Sequence, residues 1–217
     1  MNEDAVEKLG ATPSNQYLAS IDALTDKKQL PALMARLHAS LGGRGFLMAF
    51  SSQQDFADAN SVIAGAGAGG LSLPDRDYYL KDDDKSKTLR AQYQAHVQKM
   101  FELRGDKPAQ AAQEAQRVMD VETGLAKASL TRVERRDPHK LDHKMTRAQL
   151  QALTPHFDWT AYMTAMGVGD VQTIAQSLTV VGPGVGACVA YLTVAALLVA
   201  VSPVLAAVVL LGIPAIV

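Results

Sequence analysis

Asp170 is the last charged residue of this 217-residue chain, and the 47 residues after it contain no Asp, Glu, Lys, Arg or His. All 21 basic and 22 acidic residues, Asp170 included, fall within the first 170 positions. A chain divided in this way is not one uniformly patterned globule. Its first part has enough polar residues to cover a surface, and its last part does not. Within the last part, residues 189–209 form an uncharged run long enough to cross roughly 30 Å of hydrocarbon at about 1.5 Å per residue. Pro203 would kink such a span, and no Lys or Arg flanks it to set an orientation.

The charged part reads as mostly α. Leu30, Leu33, Met34, Leu37 and Leu41 keep helical spacing, with Asp26 as a cap, Pro31 in the first turn and Gly42-Gly43 as the stop. Tyr17, Leu18, Ile21 and Leu24 mark an earlier helix. Leu89, Tyr93, Val97, Met100 and Phe101 give a stripe over 85–104, ended by Gly105. A second long helix opens at Pro108 and runs to about residue 129, with Ala111, Ala115, Val118, Met119, Leu125 and Ala126 inward. The short connection predicts an antiparallel pair. Residues 131–143 read as a charged loop, followed by short helices capped by Thr146 and Asp158. One or two short strands are expected, at 46–51 and 61–64.

Several function classes are excluded or weakened by composition. A formal net charge of −1 argues against a nucleic-acid binder. The single cysteine, Cys188, permits neither an internal disulfide nor a Cys-based structural zinc site. The first residues lack the basic and apolar segments of a signal peptide. Gly65, Gly67 and Gly70 match G-x-G-x-x-G by spacing, but Leu71-Ser72-Leu73-Pro74 follows where a dinucleotide site needs a helix, so the run reads as a flexible or closely packed turn. His139 and His143 are four apart, yet Lys140 stands where a zinc peptidase carries its basic glutamate. Glu122 falls on an apolar stripe and must be paired or protonated. Arg132, Arg135 or Arg136 are its expected partners, with a catalytic role as the alternative. Asp82-Asp83-Asp84 reads as a cap for the helix at 85.

A set of ordered motifs then points to a family. The most specific is Gly69-Gly70-Leu71-Ser72-Leu73-Pro74-Asp75-Arg76-Asp77-Tyr78-Tyr79-Leu80. Glu122-Thr123-Gly124-Leu125-Ala126, Arg135-Arg136-Asp137-Pro138, Lys144-Met145-Thr146 and Phe157-Asp158-Trp159 follow in order. Together they resemble the neprilysin-like zinc metallopeptidases, which include the endothelin-converting enzymes and bacterial oligopeptidases. The resemblance implies a helical lobe that encloses peptide substrates in an extracytoplasmic enzyme. It also implies a zinc held by H-E-x-x-H and a downstream glutamate. Ser72 stands where the family has glycine, and Asp142 where it has an aromatic residue.

No histidine of this chain is followed by glutamate. The expectation is therefore an N-terminal portion of such an enzyme over 1–174, with no catalytic residue, no metal ligand and no cofactor of its own. The parent enzyme would use zinc, act on peptides and require the missing N- and C-terminal segments. Residues 175–217 are expected to be a separate apolar tail. Three origins stay open for it: out-of-frame translation, a membrane anchor, or a buried core segment. With an anchor, the chain would instead be a non-enzymatic helical binding module held on a membrane.

Overall fold

The computed structural model describes residues 3–9, 12–40, 47–137, 141 and 143–177. Leu41, Gly42-Gly43, Phe46, Pro138, His139, Asp142, Cys188 and the apolar run 189–209 lie outside them, so the expectations that fall there are not addressed by the fold. Among the described residues no helix is long and apolar enough to cross a membrane.

Helices dominate. They are α1 (Glu3–Leu9), α2 (Asn15–Asp22), α3 (Leu30–Ser40), α4 (Asp77–Leu80), α5 (Asp84–Arg104), α6 (Pro108–Ala128), α7 (Arg147–Leu153) and α8 (Trp159–Ala165). Four strands accompany them: β1 (Met48–Gln54), β2 (Val62–Ala68), β3 (His143–Thr146) and β4 (Thr173–Ser177).

The local signals work as chemistry requires. Asp83 accepts the Ser86 N–H at 2.9 Å and starts α5, where three successive aspartates had suggested a cap. Gly105 closes α5 in the left-handed region at φ 114°, which costs glycine little. Pro108 sits in the first turn of α6, where its missing N–H is harmless. Thr146 forms a reciprocal capping box with Gln149 on α7. Asp158 accepts from Ala161 N–H on α8. Asp26 caps a single 3-10 turn, Lys27–Gln29, that leads into α3.

The turn after Gly105 folds α6 back along α5, so that Tyr93 meets Glu122 and Gln94 meets Gln116. All six apolar positions assigned to α6 are buried. On α5, Tyr93, Val97 and Phe101 are buried, but Met100 is exposed. It lies next to Phe101, off the Tyr93–Val97–Phe101 line of contact.

The sheet departs from expectation. It has four strands in the order β1-β2-β4-β3, not one or two. β1 and β2 form an antiparallel hairpin, β4 runs parallel to β2, and β3 closes the other edge antiparallel to β4. The glycine-rich run is not a turn. Gly65 and Gly67 lie within β2, opposite Ser51 and Ala49. A Cβ on Gly65 would stand 2.5 Å from the Gln53 side-chain oxygen, so the strand passes close beneath that side chain. His143 begins β3 where a charged loop was expected. Short polar strands such as β3 take their conformation from their neighbours more than from their own pattern.

One core joins these parts. Phe50, Ala66 and Ile174 of the sheet pack with Leu33, Met34 and Leu37 of α3 and with Trp159, Tyr162 and Met163 of α8. Each fully buried side chain of this size stabilises the fold by ~2 kcal/mol. Rings lock the centre. Tyr162 meets Phe50 edge-on at 5.2 Å, and its hydroxyl lies 2.7 Å from Nδ1 of buried His38. The Trp159 indole donates to Thr154 Oγ1 at 2.6 Å.

Candidate functional site

Glu122 is the most deeply buried carboxylate of the helical half, with 2% of its surface exposed. The expected arginine partners are not there. Arg132 pairs with Asp75 instead. Three hydroxyls surround Glu122. Ser72 and Tyr93 donate to Oε1 at 2.7 and 2.9 Å, and Tyr79 donates to Oε2 at 2.5 Å. Tyr79 Oη in turn accepts the Leu73 N–H at 2.8 Å. Burial pushes the Glu122 carboxyl above its ordinary range, and the three hydroxyl donors pull against that rise. Burial, reinforced by the neighbouring carboxylate, also raises Tyr79 and Tyr93, so both stay protonated as donors.

The surrounding motif is tied down in the same manner. Arg76 Nε donates to the Ala126 carbonyl at 3.1 Å, one helical turn beyond Glu122. Asp75 accepts the Asp77 N–H at 2.7 Å and starts the turn into α4. Arg90 of α5 donates to the carbonyls of Tyr78 and Lys81, both at 2.8 Å. The segment around Gly69, Gly70, Leu71, Leu73, Pro74, Asp75, Arg76, Asp77, Tyr78 and Tyr79 is therefore fastened across α5 and α6, with Glu122 as its anchor. Both oxygens of that anchor are engaged and sealed from solvent.

Two clefts flank the fastened segment. One, of about 260 Å³, is lined by Asp75, Asp77, Lys81, Asp83, Leu89 and Arg132 among others. The second, of about 230 Å³, lies between 68–71 with Asp75 and Arg76, and Ser129, Leu130 and Arg135. Arg135 and Arg136 lie on a 3-10 turn, Glu134–Arg136, and Asp137 follows it. Pro138 falls outside the described residues.

Metal ligation finds no set of donors here. Among the described residues, no three His, Cys, Asp or Glu side chains converge on a point where they would hold an ion. His143 stands in β3 opposite Gln176, and His38 is bonded to Tyr162.

Sequence reasoning isolated Glu122 but missed its cage. The available signal was Tyr93 on the buried stripe and Tyr79 in the motif, since a buried tyrosine hydroxyl needs a partner. A second buried carboxylate was missed entirely. Asp55, in the β1–β2 loop, pairs with Lys144 of β3 and accepts the Ala57 N–H at 2.9 Å. Those contacts hold its carboxyl below the ordinary range.

Comparison with known proteins agrees with this geometry. The chain is 28% identical over 171 residues to endothelin-converting enzyme 1 of Bos taurus, covering 76% of this chain and 22% of that protein. Zinc metalloprotease Zmp1 of Mycobacterium tuberculosis, in its open state, superposes with a TM-score of 0.80 at 27% identity. That match covers 96% of this chain and 31% of Zmp1. The inhibitor complex of the same protein gives a TM-score of 0.78 at 28% identity. This chain thus spans about a fifth to a third of the relatives it matches. The family model for the N-terminal part of peptidase family M13 matches residues 1–196, and the chain belongs to that family.

Proposed function

We propose that this chain supplies the helical, substrate-enclosing lobe of a neprilysin-like zinc metalloendopeptidase, and that alone it neither holds the catalytic zinc nor cleaves peptides. The observation that carries this reading is the use of the motif. Asp75, Arg76, Tyr79 and Glu122 are each bonded inward, fastening one segment across two helices. Such residues build a wall and leave the chemistry to other parts of the enzyme. Zinc in the complete enzyme would polarise the scissile carbonyl and its attacking water. The described residues offer that ion no ligand set, so no step of hydrolysis is assigned to them.

The same proposal places the enzyme outside the cytoplasm and gives it peptides as substrates, with no nucleic-acid partner. It divides the chain into a lobe over 1–174 and an apolar tail over 175–217, with β4 (Thr173–Ser177) carrying the sheet across that division. The family match, which ends at residue 196, overlaps the first part of that tail.

The test is direct. The purified 217-residue chain is incubated with mixed peptides and zinc, and its bound metal is measured. No chelator-sensitive cleavage and no stoichiometric zinc are expected. Zinc-dependent hydrolysis that copurifies with the chain would overturn the proposal.

A further inference from the structure

Two sequence motifs, separated by more than fifty residues, meet in the 230 Å³ cleft. One contributes Gly69, Gly70, Asp75 and Arg76, and the other contributes Arg135. The charge on this cleft is not balanced. Asp75 is already neutralised by Arg132 and by the Asp77 N–H, and it is almost sealed from solvent. Arg76 engages only its Nε, on the carbonyl of Ala126. No ion pair among the described residues involves Arg76 or Arg135.

The neighbouring 260 Å³ cleft gives the contrast. There Asp77 pairs with Lys81 at 3.0 Å and Asp75 with Arg132, and Lys85 is the one lining cation without an ion pair among the described residues. On the first cleft two guanidiniums have none. The rest of its wall is glycine, leucine and proline, together with Ser129, whose hydroxyl is bonded to the Leu125 carbonyl. Asp75 is the one carboxylate on the wall, and it is already paired with Arg132.

We propose that this cleft binds a small oxyanion, a carboxylate or a phosphate group, through Arg135 and the free edge of Arg76. A guanidinium presents parallel N–H donors that match either oxyanion in a two-point contact. The cleft is too small for a folded partner and large enough for one such group with a short stem. Arg135 is then the capturing residue. Arg76, fixed by its bond to α6, sets the position of the second contact. This assignment is independent of whether the chain belongs to an active peptidase.

Arg136 supplies the control, because it is an exposed arginine next in sequence that does not line the cleft. Inorganic phosphate is titrated into the full chain and into the variants R135Q and R136Q by calorimetry, at ionic strength matched with sodium chloride. Circular dichroism checks that each variant is folded. Wild type and R136Q should bind alike, and R135Q should bind about tenfold more weakly. A second arm uses a tripeptide with a free C-terminal carboxylate and its amidated form. Binding of the free form alone assigns the cleft to peptide ends, and binding of phosphate alone assigns it to phosphorylated ligands. Either result upholds the oxyanion site if R135Q weakens it selectively. Equal affinity in all three proteins, equal loss in both variants, or no binding of any probe overturns it.

Discussion

Glu122 and Asp55 are both buried carboxylates, yet the two halves of the molecule stabilise them in opposite ways. Glu122, between α5 and α6, is held by three neutral hydroxyls with no cation among its partners, and burial raises its pKa. Asp55, beside the sheet, is held by the Lys144 ammonium and a backbone N–H, and its pKa is lowered. The hydroxyl cage suits a joint between helices close in sequence, where geometry is already fixed by a tight turn. The ion pair joins the β1–β2 loop to β3, 89 residues later, where direct attraction helps to align strands that share no local connection. One half is thus pinned by shape and donors, the other by charge and packed rings.

The largest break expected is in the ring cluster. Trp159→Ala should cost about 4 kcal/mol, by emptying a fully buried site and leaving Thr154 without its indole donor. Urea denaturation measures it, and a loss near 1 kcal/mol would show that the sheet half is not organised on these rings. Glu122→Leu should cost about 3 kcal/mol, because two buried tyrosine donors and the half-buried Ser72 lose their acceptor at once. If this variant is as stable as wild type, the cage contributes nothing and the helical half rests on apolar packing alone. Tyr93→Phe removes one donor and should cost about 2 kcal/mol in the same assay, additive with a ring-cluster change if the halves are independent.

Thr146→Ala deletes the capping box on α7 and should cost about 1 kcal/mol. The effect belongs to the sheet half, so it should not alter the pH behaviour of Glu122. That behaviour sharpens the comparison through sign. Because its folded pKa is raised, Glu122 contributes most below its ordinary value of 4.5, and the contribution is lost as pH rises through the folded value. Wild type should therefore lose ground to E122Q between pH 4 and pH 8 in denaturation midpoint. Asp55, whose folded pKa is lowered, contributes above its ordinary value of 3.8 and loses that contribution as pH falls. Wild type should lose its advantage over D55N on acidification. Slopes of the same sign in both pairs would contradict the distinction drawn between the two halves.

Much of the helical half was legible because its signals are local. Asp83, Gly105 and Pro108 act within a turn of the residues they cap, and the stripes of α5 and α6 repeat within each helix. The ordered motifs carried the family in the same local way. Of the sheet, β1 and β2 overlap the strands expected at 46–51 and 61–64, whereas β3, β4 and the strand order were illegible. Ile174 of β4 faces Ala64 of β2 across 110 residues, and neither strand shows an alternating pattern strong enough to announce it. Gly65 and Gly67 resembled a turn because glycine's freedom is visible in sequence, while the close passage of Gln53 that favours glycine there is not.

Glu122 shows where the boundary falls. Its place on an apolar stripe determined that it would be buried and would need partners, since an unpaired charge in the core is too costly. Which partners it took was decided by the fold, because Ser72 and Tyr79 reach it only after the motif segment is laid across both helices. The same holds for Arg135, whose charge was plain from the sequence and whose cleft exists only where residues 68–76 and 129–135 come together. Helices, caps and family were thus written in neighbouring residues, where 3.6-residue periodicity and turn chemistry operate. The sheet order, the hydroxyl cage and the cleft depended on contacts between distant segments, whose energies no local pattern records.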